Sequence, residues 1–379
     1  MIKSLSAPLI SLMLLIMGSG LFNTFIPLRL EMEHYDPEVI GAVASALYAG
    51  LLIGSFKIDR FVIRAGHIRS FLLFTTFLGI FVLLPALWIN PWYWGTLRFL
   101  GGICTAGIFI VIESWILMKG NSSTRGVMLS LYLGALYSAL TLGQFLINLS
   151  DPTGSWPFVI TASLCFLSLM PMCIKTTEAP KIQTSETLSL SRLFFLSPLG
   201  FVGGVISGMI LSIVYGLVPV YAKDIGLSVS QIGNLMAMII FGGLSLQWPI
   251  GRWADTGKRR SMLQLASFLA ALFSFLIPWA APSSSLLLLL FAWFFGGFAF
   301  TIYPLSMAYA CEQVQDNQIV GATGGFVLSY GIGAIAGPLL APMAMKYFGS
   351  HGVFYFLTAI SLLLGLMSLK LPFWKPSSE

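Results

Sequence analysis

The stretch Gly251-Arg-Trp-Ala-Asp255-Thr-Gly257-Lys-Arg-Arg260 holds the densest cluster of charge in the chain, and apolar runs flank it on both sides. An aspartate, two glycines and four basic residues cannot lie in hydrocarbon, so this stretch must be a tight polar turn at a membrane surface between two spanning helices. A looser version occurs earlier, as Ser55-Phe-Lys57-Ile-Asp59-Arg60 followed by Arg64, Gly66, His67 and Arg69. Asp59 and Asp255 pair at an offset of 196 in a chain of 379 residues. One loop chemistry used twice predicts two similar halves.

Composition agrees, with 57% hydrophobic and only 9% charged residues, more apolar surface than a soluble chain of this length can cover. Stretches of about 20 apolar residues, the length that crosses a bilayer, begin at 7–27. They recur at 38–56, 70–89, 93–117, 126–149, 156–174, 198–221, 229–250, 261–280, 284–311, 320–344 and 352–371, twelve in all. The first could be a cleaved signal segment ending near Gly18-Ser-Gly20, but its counterpart in the second half, Pro27 against Pro219, argues for a retained span. Asp36-Pro37 reads as an N-cap followed by proline, and Ser228-Val-Ser-Gln231 has capping-box spacing. Cys104, Cys165, Cys173 and Cys311 lie in apolar stretches without metal-ligand spacing and read as packing residues.

Pro27, Ile40-Gly41 and Gly50 match Pro219, Ile232-Gly233 and Gly242 at an offset of 192. Trp88 and Pro91 match Trp279 and Pro282 at 191, and Gly101-Gly102 and Gly126 match Gly296-Gly297 and Gly321 at 195. These matches predict two homologous six-helix bundles, 1–175 and 198–379, joined by a polar cytoplasmic linker at 176–197. Orientation follows from the 20 Lys and Arg residues: only Arg29, Lys223 and Lys346 fall in loops on the outer side, and Arg98 falls inside a span. Both termini are then cytoplasmic, and Trp88, Trp92, Tyr93, Trp94, Trp156 and Trp279 collect near the outer interface.

Two six-span halves with Gly-x-x-x-Asp-x-Gly-x-Arg-Arg after the second span of a half resemble the major facilitator superfamily, most closely its YcaD-like bacterial branch. The likeness rests on Gly66-His-Ile-Arg69, Glu113-Ser-Trp115, Arg125-Gly126 with Gly143-Gln144, Gln247-Trp-Pro-Ile-Gly251-Arg252, Tyr303-Pro-Leu305 and Tyr330-Gly-Ile-Gly-Ala-Ile-Ala-Gly337-Pro338. It covers nearly the whole chain. It implies an all-α membrane protein of the major-facilitator fold, a secondary transporter of the inner membrane that alternates access to a central cavity. It also implies that the first, fourth, seventh and tenth spans line that cavity. The first loop departs from the pattern, because seven rather than two positions follow Asp59 before and including Gly66. The first span also lacks the embedded acid found in many proton-coupled drug exporters of the superfamily.

The candidate cavity residues are Asn23, Arg98, Tyr215, Tyr303 and Gln144. Any of these polar side chains is equally at home as an interhelical hydrogen-bonding group, and Arg98 could instead snorkel to the outer headgroups. Glu113, about 22 Å along the axis from Arg98, is the one carboxylate beyond the first residue of a span and reads either as the proton-coupling group or as a latch for Lys119 and Arg125. Asp59, Arg60, Gly66 and Arg69, with Gly251, Asp255, Gly257, Arg259 and Arg260, are the candidate gating loops; the plain alternative is a solvated loop that fixes topology. Prolines 27, 219, 304 and 338 read as helix breaks. His34, His67 and His351 read as isolated loop residues. No phosphate-cradling Gly-Lys-Ser/Thr loop, metal cluster or nucleophile–base arrangement occurs, so the reading has no cofactor, no metal, no nucleic acid and no enzyme. Its partners are the bilayer, a small organic solute and, if Glu113 titrates, protons, with the chain acting as a monomer. The competing class is a sensor on a transporter scaffold, disfavoured by the short linker and by a tail of only Pro372 to Glu379.

Overall fold

The computed structural model of the chain describes residues 2–56, 58–118, 125–174, 194, 196–282, 284–313 and 319–370. The side chains at 2–5, 59, 60, 116–118, 125–127, 129, 174 and 319–321 lie outside the described set, as does most of the expected linker at 176–197. The described residues form helices without strands. In the first part these are α1 (Ile2–Met32), α2 (Pro37–Ser55), α3 (Ile58–Ala65), α4 (His67–Leu83), α5 (Pro91–Met118), α6 (Arg125–Phe145), α7 (Trp156–Leu167) and α8 (Leu169–Ile174). The second part holds α9 (Pro198–Asp224), α10 (Val229–Trp253), α11 (Arg259–Ala280), α12 (Ser285–Glu312), α13 (Ile319–Phe348) and α14 (Gly352–Lys370).

Each expected span falls on helical chain, but 156–174 is divided between α7 and α8, and 70–89 and 126–149 end in short 3-10 turns at 84–87 and 146–149. Counted as uninterrupted apolar stretches there are 10 candidate spans among the described residues, two of which run for 52 and 49 residues. Either would be more than twice as long as the hydrocarbon core of about 30 Å at 1.5 Å per residue. Each contains a break, at 254–258 and at 349–351, that separates two helices. By internal packing the chain divides into two units, Met1–Thr184 with Leu227–Ala237, and Ser185–Gly226 with Met238–Glu379.

Helix starts follow local chemistry. Ser228 and Gln231 form the reciprocal capping box: the Ser228 amide donates to Gln231 Oε1 at 2.8 Å and the Gln231 amide to Ser228 Oγ at 3.3 Å. Asp36 occupies the N-cap of α2 in extended backbone, but its side chain makes no capping bond. The expected proline breaks do not occur. α1 runs through Pro27, α9 through Pro219, α12 through Pro304 and α13 through Pro338. A proline inside a helix still removes the donor for the carbonyl four residues earlier, which here is that of Asn23 for Pro27 and of Tyr215 for Pro219.

Helices in lipid gain little from apolar burial against each other, so close packing at small residues decides which pairs associate. A Cβ on Gly50 of α2 would overlap the carbonyl oxygen of Phe99 in α5, and one on Gly102 of α5 would overlap that of Leu47 in α2. In the second unit Gly242 of α10 meets the carbonyl of Trp293, and Gly296 of α12 meets that of Ile239. The same two backbone contacts are therefore built twice. They also correct the sequence register, since Leu47 and Ile239 lie 192 apart while Phe99 and Trp293 lie 194 apart. Gly102 is thus the counterpart of Gly296, not of Gly297. The glycine doublet is ambiguous by one position in sequence, and only the facing carbonyl resolves it.

Trp88, Trp92, Trp156 and Trp279 are exposed, as an interfacial belt requires, but Trp94 is fully buried. Its indole N–H donates to the carbonyl oxygens of Trp88 at 2.9 Å and Pro85 at 3.2 Å, closing the turn before α5.

Alanine at Gly102 should lower thermal stability by about 1–3 kcal/mol through forced separation of α2 and α5. Gly134, with nothing within 4 Å of a Cβ, should gain up to about 1 kcal/mol from the same change. Paired melting curves in detergent check the contrast.

Candidate functional site

Within the first unit, α1 presents neighbouring polar side chains to two different helices. Asn23 Oδ1 accepts from Arg98 Nη2 of α5 at 3.1 Å. Thr24, about 100° further round the helix, donates through Oγ1 to Gln144 Oε1 of α6 at 2.6 Å. Gln144 Nε2 donates in turn to the Gly20 carbonyl at 2.9 Å. Gln144 is fully buried, so its amide is a clamp between α1 and α6. Thr24, which completes that clamp, was missed in the sequence; a hydroxyl beside Asn23 was the available signal.

Arg98 is 6% exposed. Its guanidinium carbon lies 5.8 Å from the Phe22 ring centroid, and Tyr48 of α2 sits within its electrostatic reach. Nε and Nη1 are buried without a hydrogen-bond partner. The side chain therefore turns inward toward α1 and does not reach for the outer headgroups. In the second unit, buried Tyr215 stands at the position equivalent to Asn23 by the 192-residue offset of Pro27 and Pro219. Half-buried Tyr303 meets Phe326 and Tyr330 edge-on, each with ring centroids 5.2 Å apart.

Toward the far end of α5, Glu113 Oε1 accepts from the Tyr132 hydroxyl of α6 at 2.8 Å. The expected partners Lys119 and Arg125 lie outside the described residues or side chains. One residue on, Ser114 Oγ lies 3.0 Å from the Val111 carbonyl oxygen and 3.1 Å from His67 Nε2. Either Ser114 donates to Val111 and His67 donates from Nε2, or the hydroxyl turns to donate to Nε2, according to the His67 tautomer. His67 is buried against Trp115, with ring centroids 5.9 Å apart. It is thus a helix-pairing residue of α4 and α5 and not a loop histidine.

Each polar turn carries a glycine at positive φ, although ψ differs between them, 155° at Gly66 and 13° at Gly257. Gly66 has φ +85° and Gly257 φ +82°, values that side-chain-bearing residues resist. They lie 191 apart, as Trp88 and Trp279 do, whereas Asp59 and Asp255 lie 196 apart. Gly251 faces open space and serves no close approach. Asp59 and Arg60 fall on α3, a short helix of the first unit, with side chains outside the described set. Arg69 is exposed.

Basic residues at the start of a helix oppose its own dipole. Arg259 and Arg260 stand there because α11 begins where its neighbours α12 and α14 end. Arg259 Nη1 pairs with Glu312 Oε1 at 2.8 Å and donates to the Ala308 carbonyl at 3.4 Å, both in the last turn of α12. Its Nη2 is 3.7 Å from Asp255 Oδ1, whose side chain is 75% exposed. Arg260 Nε donates to the Ser368 carbonyl at 2.7 Å and Nη2 to that of Leu369 at 3.5 Å, at the end of α14. Arg260 thereby donates to two of the last four carbonyls of α14, which a helix end leaves without intrahelical donors, while Arg259 holds the end of α12 chiefly through Glu312.

The family model described as Major Facilitator Superfamily matches this chain twice, over residues 9–199 and 200–378. The chain belongs to the major facilitator superfamily. It is a multi-pass membrane transporter and not an enzyme. It is 31% identical over 364 residues to the Uncharacterized MFS-type transporter YcaD of Escherichia fergusonii, covering 95% of this chain and 93% of the relative. The Shigella flexneri serotype 5b protein of the same name matches to the same extent. Among solved structures, a point mutant of the nucleoside transporter NupG superposes with a TM-score of 0.82 at 13% identity, covering 96% of this chain and 98% of that one. A D-xylose–proton symporter superposes at 0.79 and 15% identity, with 97% of each chain covered. At those identities the structural likeness establishes the transporter's fold.

Replacing Arg259 by Gln should destabilise the purified transporter more than Asp255→Asn does. The first change strips Glu312 of its partner; the second removes an exposed contact worth about 0–1 kcal/mol. Thermal melts of the two variants decide the order.

Proposed function

We propose that this transporter is a secondary carrier that moves a small organic solute across the bacterial inner membrane by alternating access, with coupling to protons through Glu113. The observation that carries the reading is the polar content of α5. One helix holds a buried cation, Arg98, and a carboxylate, Glu113, whose described partner is a tyrosine hydroxyl and not a cation. A carboxylate bonded to a hydroxyl can take up and release a proton without breaking an ion pair. The D-xylose–proton symporter, by its name, couples a solute to protons on the same fold. The moving bodies are the bundles 1–175 and 198–379, both termini are cytoplasmic, and Asn23, Arg98, Tyr215 and Tyr303 face the solute. The bracing of α11 by Arg259 and Arg260 makes the 251–260 turn part of a body that moves as one. At the start of α4, Gly66 is the N-cap and Arg69 lies exposed in the first turn.

Glu113→Gln keeps the hydrogen-bonding shape and removes the titration. A thermal-shift screen of organic acids, sugars and nucleosides first selects a ligand. In proteoliposomes, the variant should then exchange that ligand across the bilayer but lose accumulation driven by an imposed pH gradient, down to the passive leak. Accumulation at the wild-type level would make Glu113 structural. Orientation has a separate check: a reporter fused after Pro376 should report cytoplasm and one inserted near Glu33 the outside, and the reverse result would overturn the assignment.

A further inference from the structure

The described arginines of this protein fall into two groups. Arg29, Arg259 and Arg260 are taken up by the fold, the first two by Glu33 and Glu312 and the third by the carbonyls of Ser368 and Leu369. Arg64, Arg69 and Arg252 sit at the rims, where water or headgroups solvate them. Arg98 belongs to neither group. It lies seven residues into α5, about 10 Å from the start of the helix, and is only 6% exposed. Its described hydrogen bond is to a neutral amide, and no carboxylate stands within ion-pairing distance among the described residues.

A buried lysine or histidine can shed its charge; a guanidinium does not. An unpaired cation in a spanning segment is costly, and a fold that builds one normally supplies a counter-charge. Here Nε and Nη1 remain buried without acceptors, which leaves two donors for a group from outside the chain.

Resting on the transporter reading above, we propose that Arg98 binds the carboxylate of a monoanionic organic solute. Two unpartnered donors ask for two acceptor oxygens, which a carboxylate carries and a halide does not. No second Lys or Arg stands at comparable depth among the described residues; the others in spans lie at helix ends. One cation balances one negative charge, whereas a phosphate dianion would leave a net charge inside the membrane. Asn23 holds the guanidinium through Nη2, so the remaining donors keep one orientation, and the Phe22 face supplies apolar surface beside them.

Formate is the probe, because the smallest carboxylate enters any site shaped for a larger one. The protein in lipid nanodiscs is melted in rising sodium formate, sodium chloride or formamide. Ionic strength is held constant by exchanging sodium formate against sodium chloride, so that no second carboxylate is present, and sodium chloride is also titrated alone. Formate should raise the melting temperature saturably, chloride less, and neutral formamide not at all. Arg98→Gln should melt no lower than the ligand-free wild type and lose the formate response, while Arg98→Lys keeps part of it. Asn23→Asp provides the test that does not depend on removing Arg98: a built-in carboxylate should raise ligand-free stability and abolish the response to formate. The inference is overturned if formamide or chloride acts as formate does, if formate has no effect on the wild type, or if Asn23→Asp responds to formate as the wild type does. Formate binding by a protein that moves no solute in proteoliposomes would sink the carrier reading and leave this one standing; solute flux that survives in Arg98→Gln would do the reverse.

Discussion

Backbone touching backbone at glycine is the constraint on which the rest of this molecule depends. In hydrocarbon the apolar faces of helices have as much to gain from lipid as from each other, and association comes from close van der Waals packing. Gly50 and Gly102 bring α2 against α5, and Gly242 and Gly296 bring α10 against α12, each pair meeting a facing carbonyl. Between α9 and α13 the same device operates at Gly208 and Gly333, which meet the carbonyls of Tyr330 and Val205. Such contacts leave no room for a side chain and little for sliding. They fix the axial level at which Arg98, Asn23 and Tyr48 confront one another inside the first unit.

On that frame each charge has a defined place. The helix-start arginines Arg259 and Arg260 oppose the dipole of α11 but hold the ends of α12 and α14, so the penalty to one helix is offset at two others. In the first unit the corresponding junction of α4 with α5 is neutral, made by His67 and Ser114. The second unit carries its polarity at the rim, whereas the first carries a cation in its interior. Under the proposed function, that asymmetry between two otherwise repeated halves assigns charge recognition to the first.

Much of this was legible before any coordinates. The spans, the capping box at Ser228 and Gln231, the 192-residue repeat and the placement of Arg98 within a span follow from spacing and composition. The azimuth of side chains did not. Helices that are apolar all round carry no amphipathic stripe to orient them, so Trp94 read as an interfacial ring although it is buried, and Gln144 read as a cavity residue although its amide clamps α1. His67 read as a loop residue because only the fold places Ser114 beside it. Asp59 pairs with Asp255 by residue type, whereas the positive-φ glycines Gly66 and Gly257 are the positions with a backbone requirement. The prolines of α1, α9, α12 and α13 read as breaks, yet neighbouring helices hold the chain helical through them, as membrane packing permits.

The proposed function requires that polar side chains buried in the spans become accessible alternately from the two sides of the membrane. The most direct measurement replaces the four native cysteines by serine or alanine, introduces Tyr215→Cys, and follows its modification by a membrane-impermeant thiol reagent in vesicles of known orientation. Tyr215 is 5% exposed and far from both ends of α9. The account predicts modification from either side, slowed from both by a bound solute. Modification from one side alone, unchanged by solute, would contradict it.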